Sequence, residues 1–374
     1  MSLNIHAFTS ITANYIPKAK VLAKSLKQHN PNYKFHLMLC DQIPKQVILN
    51  DLFDSVITPD QLDIPHLSSW LFKHTVVEMC TGVKGLAFQK IFNDYGADIV
   101  FYFDPDMVIF SDLSDLVSEL ENHSILLTPH LTEPENTNEG ILDNEICALQ
   151  HGIYNLGFLG IKNSKEGLSC IDWWSKRLLD FCFDDKVNGI FTDQRWADLI
   201  PAFFEDHFIL RSPKYNVATW NLSNRVATGS LEKGIYINGY PLSFFHFSGF
   251  DSGAQEAMLN KYGTHSPILF KLRNWYIQQC QNMGHDFFSN ISCIYSFFDN
   301  GSPILKEHRI LYRCRKDLQF SFPKPYQVGK NSYHNWLLEN GNQVQNLEIS
   351  SLGIHQKSSF LIAKVKSHII KLLS

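Results

Sequence analysis

Two aspartates separated by one proline, Asp104-Pro105-Asp106, directly follow the apolar run Ile99–Phe103. A continuous run of β-branched and aromatic residues is typical of a strand that is covered on both faces. Pro105 has no N–H to donate to a neighbouring strand and therefore marks the end of this one. Two carboxylates held close together in a short loop need a cation or strong hydrogen-bond donors nearby. A divalent metal ion is the simplest such cation, so the sequence predicts a metal site here.

The chain before this loop alternates between strand-like and helix-like segments. Residues 6–10 and 35–40 predict strands, and residues 17–28 place apolar side chains at helical spacing between them. This alternation favours an α/β fold built on a doubly wound, mostly parallel sheet. Ligands of such sheets gather beyond the carboxyl ends of the strands. We therefore expect the two aspartates at that edge of the sheet.

Three further side chains have both a structural and a functional interpretation. Lys84 lies between two glycines and is either a solvated surface lysine or a cation of the site. Asp193 follows a threonine at a predicted helix start, where it either only caps the helix or presents an acid to a pocket. His246 lies in an aromatic strand, residues 242–249, where a lone histidine is more often a core residue than a ligand.

Two segments between these residues also bear on the site. Residues 131–144 are acidic, polar and proline-containing, which predicts a mobile loop. Residues 154–161 return to strand character and contain glycines where a ligand could approach the backbone closely.

Composition excludes several classes of protein. The net charge of −4 provides no overall basic field for nucleic acid. Neither a secretory signal nor a run of eighteen uncharged apolar residues is recognisable, so the sequence predicts a cytoplasmic protein. The eight cysteines contain no C-x-x-C spacing, which favours scattered reduced thiols over zinc ligands or disulfides.

The length of 374 residues predicts about two domains. We expect a catalytic domain over residues 1–253, a mainly helical extension over residues 254–330, and a tail over residues 331–374. Residues 360–374 predict a short basic amphipathic helix. This helix either docks on the protein's own body or makes peripheral contact with the inner face of an anionic membrane.

Four landmarks, in order along the chain and each beside a predicted strand, resemble the glycosyltransferases of the GT-A type. The resemblance is to the family 8-like group, which includes glycogenin and bacterial lipopolysaccharide galactosyltransferases, and it covers about residues 3–250. The landmarks are Thr9 with Asn14-Tyr15, Asp104-Pro105-Asp106 as the Asp-x-Asp motif, Asn155-Leu156-Gly157, and His246-Phe247-Ser248-Gly249 as the His-x-x-Gly motif.

The resemblance implies a GT-A fold and a hexosyltransferase that uses a nucleotide-sugar donor, with a UDP-sugar favoured. It implies Mn²⁺ or Mg²⁺, and an imidazole ligand favours Mn²⁺. The acceptor would be a glycan or a lipid-linked sugar in bacterial surface polysaccharide synthesis. The implied metal ligands are Asp104, Asp106 and His246, and the implied donor-binding residues are Thr9, Tyr15, Lys84, Asn155 and Gly157.

Asp193 and Gln194 are the implied catalytic residues. In an inverting enzyme a carboxylate must take the acceptor proton, and Asp193 is the candidate. In a retaining enzyme the leaving phosphate takes that proton, and Asp193 or Gln194 positions the reacting groups. The resemblance favours retention.

The sequence departs from the family at one place. His-x-x-Gly usually continues into Lys-Pro-Trp, whereas here Phe250-Asp251-Ser252 follows. The phosphate-binding lysine is therefore missing at that place, and Lys84 or Arg195 could replace it.

Two other functions remain open at this point. A sugar nucleotidyltransferase also uses an α/β fold and paired acids, but the first strand is not followed by the glycine- and basic-rich loop that cradles a triphosphate. The other alternative is a non-catalytic glycan-binding protein.

Overall fold

The computed structural model describes residues 3–44, 49 and 52–345. The strands are β1 (Ile5–Ile11), β2 (Lys34–Leu39), β3 (Ser55–Ile57), β4 (Ile99–Phe103), β5 (Met107–Ile109), β6 (Ile125–Pro129), β7 (Tyr154–Lys162), β8 (Asp184–Asp185), β9 (Ile190–Phe191), β10 (His207–Ile209), β11 (Ala227–Ser230), β12 (Gly234–Ile237), β13 (Tyr240–Pro241) and β14 (Phe244–His246). The helices are α1 (Ile16–His29), α2 (Leu67–Lys73), α3 (Val76–Gly82), α4 (Lys84–Tyr95), α5 (Ser114–Asn122), α6 (Asn138–Gly140), α7 (Ile146–His151), α8 (Lys165–Phe181), α9 (Gln194–Ala197), α10 (Ile200–Phe203), α11 (Ala254–Tyr262), α12 (Pro267–Asn282), α13 (His285–Phe288), α14 (Lys306–Cys314), α15 (Lys316–Ser321) and α16 (Tyr333–Gln345).

Within the described residues the main sheet has seven strands in the order β10-β6-β7-β4-β1-β2-β3. Neighbouring strands run parallel except at β7, which is antiparallel to both β4 and β6. The predicted mostly parallel α/β sheet is therefore confirmed. Because β7 runs the other way, its beginning lies at the edge where the parallel strands end, and Phe103 at the end of β4 pairs with Phe158.

Helices cover both faces of the sheet, as the strand alternation requires. Ala7, Phe101 and Phe103 are fully buried on one face, together with the apolar residues of α1 and α5. Phe8 and Tyr102 point to the other face, where α4 and α8 cover them. Alternate side chains of a strand point to opposite faces, so a strand that is apolar throughout is buried on both. This arrangement confirms that the sheet is doubly wound.

The segment between β6 and β7 is partly helical, so the predicted loop over residues 131–144 is wrong in part. It forms α6, a π-helical turn over Ile141–Glu145, and α7. The hydroxyl of Thr137 accepts a hydrogen bond from the N–H of Gly140, which caps the first of these turns. The amide of Asn144 donates to the carboxylate of Glu135 at 2.7 Å. These turns are held by local polar contacts. Their sequence lacks the apolar periodicity from which a helix would be predicted.

The region after β14 is helical and packs against the sheet domain. Arg309 of α14 is buried and donates to the carbonyl oxygens of Phe72 and His74 at 3.1 and 2.8 Å, at the end of α2. Four aromatic rings surround the fully buried ring of Phe72, namely those of Phe298, Tyr312, Tyr326 and Tyr333. An arginine is well placed there because the last carbonyls of a helix lack intrahelical partners and carry partial negative charge.

Part of the predicted tail over residues 331–374 is the helix α16, whose first residue, Tyr333, donates a hydrogen bond to the carbonyl of His308 in α14. The predicted basic helix over residues 360–374 lies outside the described residues, and the domain boundaries stay predictions. No helix among the described residues is long and apolar enough to cross a membrane.

Candidate metal centre

Asp104, Asp106 and His246 converge at the edge where β4 ends. Each offers one ligand atom, and these atoms all lie within 4.8 Å of one another. The Nε2 atom of His246 lies 3.1 Å from Asp106 Oδ1 and 3.7 Å from Asp104 Oδ2. We call these three residues the metal triad. Two carboxylate oxygens and one imidazole nitrogen are a ligand set that suits a divalent cation such as Mn²⁺ or Mg²⁺.

Backbone hydrogen bonds between neighbouring strands bring the three triad residues together. The N–H of Asp104 donates to the carbonyl of Gly157 at 2.7 Å, so the end of β4 remains attached to β7. The chain then turns into β5, which pairs antiparallel with β14 so that Met107 lies opposite His246. The N–H of Phe247 donates to the carbonyl of Asp106 at 2.8 Å. The imidazole is thus brought to the two acids by a strand more than 130 residues further along the chain.

Gly157 is required by this close approach. A Cβ atom at this position would lie 2.7 Å from both His246 Cε1 and Met107 Cε. Contacts of this length force a displacement, so a side chain at this position would have to shift the His246 ring, the end of Met107 or its own strand. The glycine of the Asn155-Leu156-Gly157 landmark therefore makes room for a metal-triad residue.

The ring of His246 is held with its Nε2 atom toward the two acids. Its ring is buried, with the ring of Trp220 edge-on at 5.2 Å, and its Nδ1 atom has no hydrogen-bond partner among the described residues. Burial lowers the pKa of this imidazole, but the Asp106 carboxylate outweighs burial and raises the pKa above its ordinary value. A raised pKa means that the imidazole binds a proton more tightly. A divalent cation would take the place of this proton between the imidazole and the acids.

Lys84 connects the triad to Asp193. Its Nζ atom lies 2.8 Å from Asp193 Oδ2, 3.0 Å from the carbonyl oxygen of Leu156 and 3.5 Å from Asp104 Oδ1. It also lies 4.0 Å from the centre of the Tyr102 ring, whose hydroxyl donates to Asp104 at 2.6 Å. Both side chains of the Lys84–Asp193 pair are only 3% exposed. The alternative of a solvated surface lysine is therefore wrong.

The charges of this pair affect each other's pKa, but burial still leaves the pKa of Asp193 above its ordinary value. Burial lowers the pKa of Lys84, but the carboxylates of Asp193 and Asp104 outweigh burial and raise this pKa. Burial raises the pKa of Asp193, whereas the ammonium group opposes the rise. With two acids against one ammonium, Lys84 stays protonated and neutralises part of the negative charge beside the triad.

Both carboxylate oxygens of Asp193 already have partners. Oδ2 accepts from Lys84, and Oδ1 accepts from the hydroxyl of Thr192 at 3.0 Å. Thr192 has a φ of 43°, a left-handed conformation that is strained for a β-branched residue. The backbone is thus held in an unfavourable conformation at the point where it presents Asp193. The role of Asp193 as a proton acceptor stays a prediction.

Asn155 and Gln194 form a buried amide network beside the triad. Gln194 Oε1 accepts from the N–H of Leu156 at 3.1 Å, and its Nε2 donates to the carbonyl of His151 at 3.0 Å. Asn155 Oδ1 accepts from Asn216 Nδ2 at 3.1 Å. These bonds hold both amides in fixed orientations, which is what recognition of sugar hydroxyls requires.

Thr9 and Tyr15 lie at the end of β1 and at the start of α1. Thr9 is fully buried, and its hydroxyl has no partner among the described residues. The hydroxyl of Tyr15 donates to Asp251 Oδ2 at 3.1 Å. The roles of both residues in donor binding stay predictions. Arg195 is engaged elsewhere, since its guanidinium pairs with Asp198 at 2.7 Å.

Sequence reasoning missed Lys18 and Asp251. Lys18 lies one helical turn after Tyr15, and its ammonium group pairs with the carboxylate of Asp251. Asp251 is the second residue after Gly249 of the His-x-x-Gly motif. The available signal was the spacing of three residues between Tyr15 and Lys18, which puts both side chains on one face of a helix.

No protein-family model matches the chain. Two proteins of Bacillus subtilis (strain 168) are related to it in sequence. The uncharacterized protein YfnD is 25% identical over 250 residues, which cover 66% of this chain and 78% of YfnD. The uncharacterized protein YfnF is 28% identical over 177 residues, which cover 46% of this chain and 57% of YfnF, so that alignment spans little more than half of YfnF.

Several solved structures that are similar to this chain are glycosyltransferases. The galactosyltransferase LgtC, in complex with donor and acceptor sugar analogs, is 14% identical with a TM-score of 0.43, over 75% of this chain and 96% of LgtC. The glycosyltransferase GlyE of Streptococcus pneumoniae TIGR4 is 17% identical with a TM-score of 0.41, over 80% of this chain and 67% of GlyE. At these values, similarity alone does not assign an activity.

Proposed function

We propose that this chain is a metal-dependent glycosyltransferase that moves a sugar from a nucleotide-sugar donor to a glycan or lipid-linked acceptor. The observation that supports this most is the convergence of Asp104, Asp106 and His246 on one point at the edge of the sheet. A nucleotide-sugar donor carries a diphosphate leaving group, whose departure concentrates negative charge on the phosphate. A cation held at this edge meets that charge.

The metal triad would hold Mn²⁺ or Mg²⁺, with Mn²⁺ favoured by the imidazole. When bound, the ion supplies Lewis-acid stabilisation of the departing diphosphate. The protein's contribution is to fix the ligands. Tyr102 and Lys84 hold Asp104, and the carbonyl of Asp106 accepts from the backbone after His246.

The remaining predicted residues would bind the donor and the acceptor. Tyr15 would stack on the base and Thr9 would contact it, with uracil as the expected base. Asn155 and Gln194 would hold sugar hydroxyls through the amide network, and Gly157 would keep that wall of the pocket close to the triad.

We propose transfer with retention of configuration. In support, both oxygens of Asp193 already accept hydrogen bonds, from Lys84 and from Thr192. A carboxylate engaged in this way is better suited to positioning than to taking a proton from an acceptor. The phosphate oxygen of the leaving group would take that proton, while Asp193 orients Lys84 and Gln194 orients the sugar.

The experiment that tests this function is turnover of UDP-sugars with Mn²⁺ by the unaltered protein and by Asp104→Asn and Asp106→Asn. We expect either substitution to reduce metal-dependent turnover at least 100-fold, because it removes a metal ligand. The control is Asp94→Asn, which removes an exposed carboxylate paired with Lys90. Undiminished turnover in either variant contradicts the metal assignment, and tight binding of a nucleoside triphosphate alone would indicate a nucleotidyltransferase instead.

We also propose a cytoplasmic enzyme of surface polysaccharide synthesis that contacts the inner membrane face through its terminal basic segment. Deletion of residues 355–374 is expected to reduce recovery in the membrane fraction and leave hydrolysis of the donor unchanged. An unchanged distribution would contradict the membrane contact.

A further inference from the structure

Lys18 is buried, whereas Asp251, with which it forms an ion pair, is exposed. The side chain of Lys18 is 3% exposed, whereas that of its partner Asp251 is 43% exposed. The ammonium group also lies 4.0 Å from the centre of the Tyr15 ring and 5.6 Å from that of Phe250. Two aromatic faces and one carboxylate therefore surround this charge.

This lysine lies beside the metal triad. Helix α1 packs on β5, where Ser25 of the helix accepts a hydrogen bond from the N–H of Ile109. Asp251 lies five residues after His246. Val21, one turn after Lys18, belongs to the same buried apolar cluster as Val108 of β5 and Phe247, the residue after His246. Lys18 and Asp251 therefore lie on the segments that flank the strands carrying the triad.

Asp251 lies on an exposed turn, where its carboxylate is accessible to water. Gly249 and Gly253, on either side of Asp251, have φ values of 73° and 77°, a region that glycine enters without strain. A Cβ atom on Gly253 would meet nothing within 4 Å, so the turn is open on that side. Once displaced, the half-exposed carboxylate of Asp251 would be hydrated by water at little cost.

We propose that Lys18 binds the diphosphate of the donor, and that Asp251 occupies this position in the free protein. This inference rests on the proposed function. Phosphate oxygens would replace the Asp251 carboxylate and accept from both groups that now donate to it, the ammonium of Lys18 and the hydroxyl of Tyr15. Lys18 thus supplies the cation that the sequence lacks after Gly249.

Lys84 is less suited to this role. Its partner Asp193 is as buried as Lys84 itself, and Thr192 and Leu156 provide further contacts to the pair. Freeing Lys84 would leave a buried carboxylate without its counter-charge, which costs several kcal/mol. Freeing Lys18 only returns Asp251 to water.

Binding of inorganic pyrophosphate in the presence of Mn²⁺, measured by calorimetry, tests this subsite. We expect Lys18→Met to weaken binding about 10- to 100-fold, because a charge-assisted hydrogen bond is lost. Lys18→Arg should retain most of the affinity. Asp251→Asn should strengthen binding several-fold, because it removes the competing anion. The opposite signs of the Lys18→Met and Asp251→Asn effects are the signature of a displaced carboxylate.

Mn²⁺ titration without pyrophosphate is the control. Lys18→Met should leave Mn²⁺ affinity unchanged or strengthen it, because Lys18 is not one of the metal ligands and the variant removes a positive charge. Weaker pyrophosphate binding by Asp251→Asn, or unchanged binding by Lys18→Met, overturns the proposal. If the unaltered protein does not turn over any donor but its pyrophosphate binding still depends on Lys18, the proposed function is refuted and the anion subsite is not.

Discussion

Lys18 and Lys84 are equally buried, and each forms an ion pair with an aspartate. The two pairs differ in how easily they can be broken. Asp193 is buried at a helix start and bonded through both oxygens, so the Lys84 pair is part of the frame of the site. Asp251 is half-exposed on a glycine-flanked turn, so the Lys18 pair can open. The exposure of the anion, rather than that of the cation, separates a structural lysine from one that is available to a substrate.

The two sides of the metal triad differ in a similar way. Lys84 compensates part of the charge of Asp104 from inside the protein, whereas Asp104 and Asp106 are 28% and 17% exposed and face outward. The inner side of the cluster is closed by protein groups. The outer side is left for a cation and for whatever anion that cation binds.

Lys84→Met tests the rigid pair and should have the largest effect. It leaves Asp193 buried without its counter-charge, which should lower the free energy of unfolding by about 3–5 kcal/mol in denaturant titrations. The double variant Lys84→Met/Asp193→Asn should recover part of this loss. A loss below about 1 kcal/mol would mean that the two pairs are alike in rigidity.

Metal addition tests the outward side of the cluster. Mn²⁺ at about 100 times its dissociation constant should stabilise the protein by about 2.7 kcal/mol, seen as a rise in Tm. Asp106→Asn should abolish this rise because it removes a ligand, and Lys18→Met should preserve it. A rise of equal size in Asp106→Asn would place the metal elsewhere.

Gly157→Ala tests the close contact behind the triad. The added methyl group would meet His246 and Met107, which should cost about 1–3 kcal/mol of stability and weaken Mn²⁺ binding about 10- to 100-fold. Gly160→Ala is the matched control, because its Cβ would meet the Phe101 ring in the core instead. Equal Mn²⁺ affinities in the two variants would show that Gly157 does not place the imidazole.

Lys18→Met tests the exchangeable pair and should have the smallest effect on stability. Because Asp251 is half-exposed, its carboxylate is hydrated when the lysine is lost, and the free energy of unfolding should fall by no more than about 1 kcal/mol. A loss as large as that of Lys84→Met would make Lys18 a structural residue and remove the basis of the comparison.

The local parts of the site could be predicted from sequence, because their signals are contiguous. The apolar run Ile99–Phe103 with its two aspartates indicates a buried strand and its carboxyl end without any tertiary information. His246 could be predicted as a metal ligand only from the resemblance to the GT-A family, because a histidine among phenylalanines has no local sequence signature of a ligand.

The pairing of distant charges could not be predicted. Lys84 and Asp193 are 109 residues apart, and Lys18 and Asp251 are 233 residues apart. Nothing in the composition around a lysine tells which carboxylate the fold will bring to it. The direction of β7 was also unpredicted, although only its antiparallel course places Asn155 and Gly157 at the edge that carries the triad.

The aromatic enclosure of Phe72 has a consequence for how the chain is made. Ser69, one turn before Phe72 in α2, bonds to the hydroxyl of Tyr312, which is synthesised 243 residues later. At ribosomal rates this is a delay on the order of ten to fifty seconds. During that time the face of α2 that carries Phe72 emerges without its cover, which makes it a surface that chaperones would be expected to bind on the nascent chain.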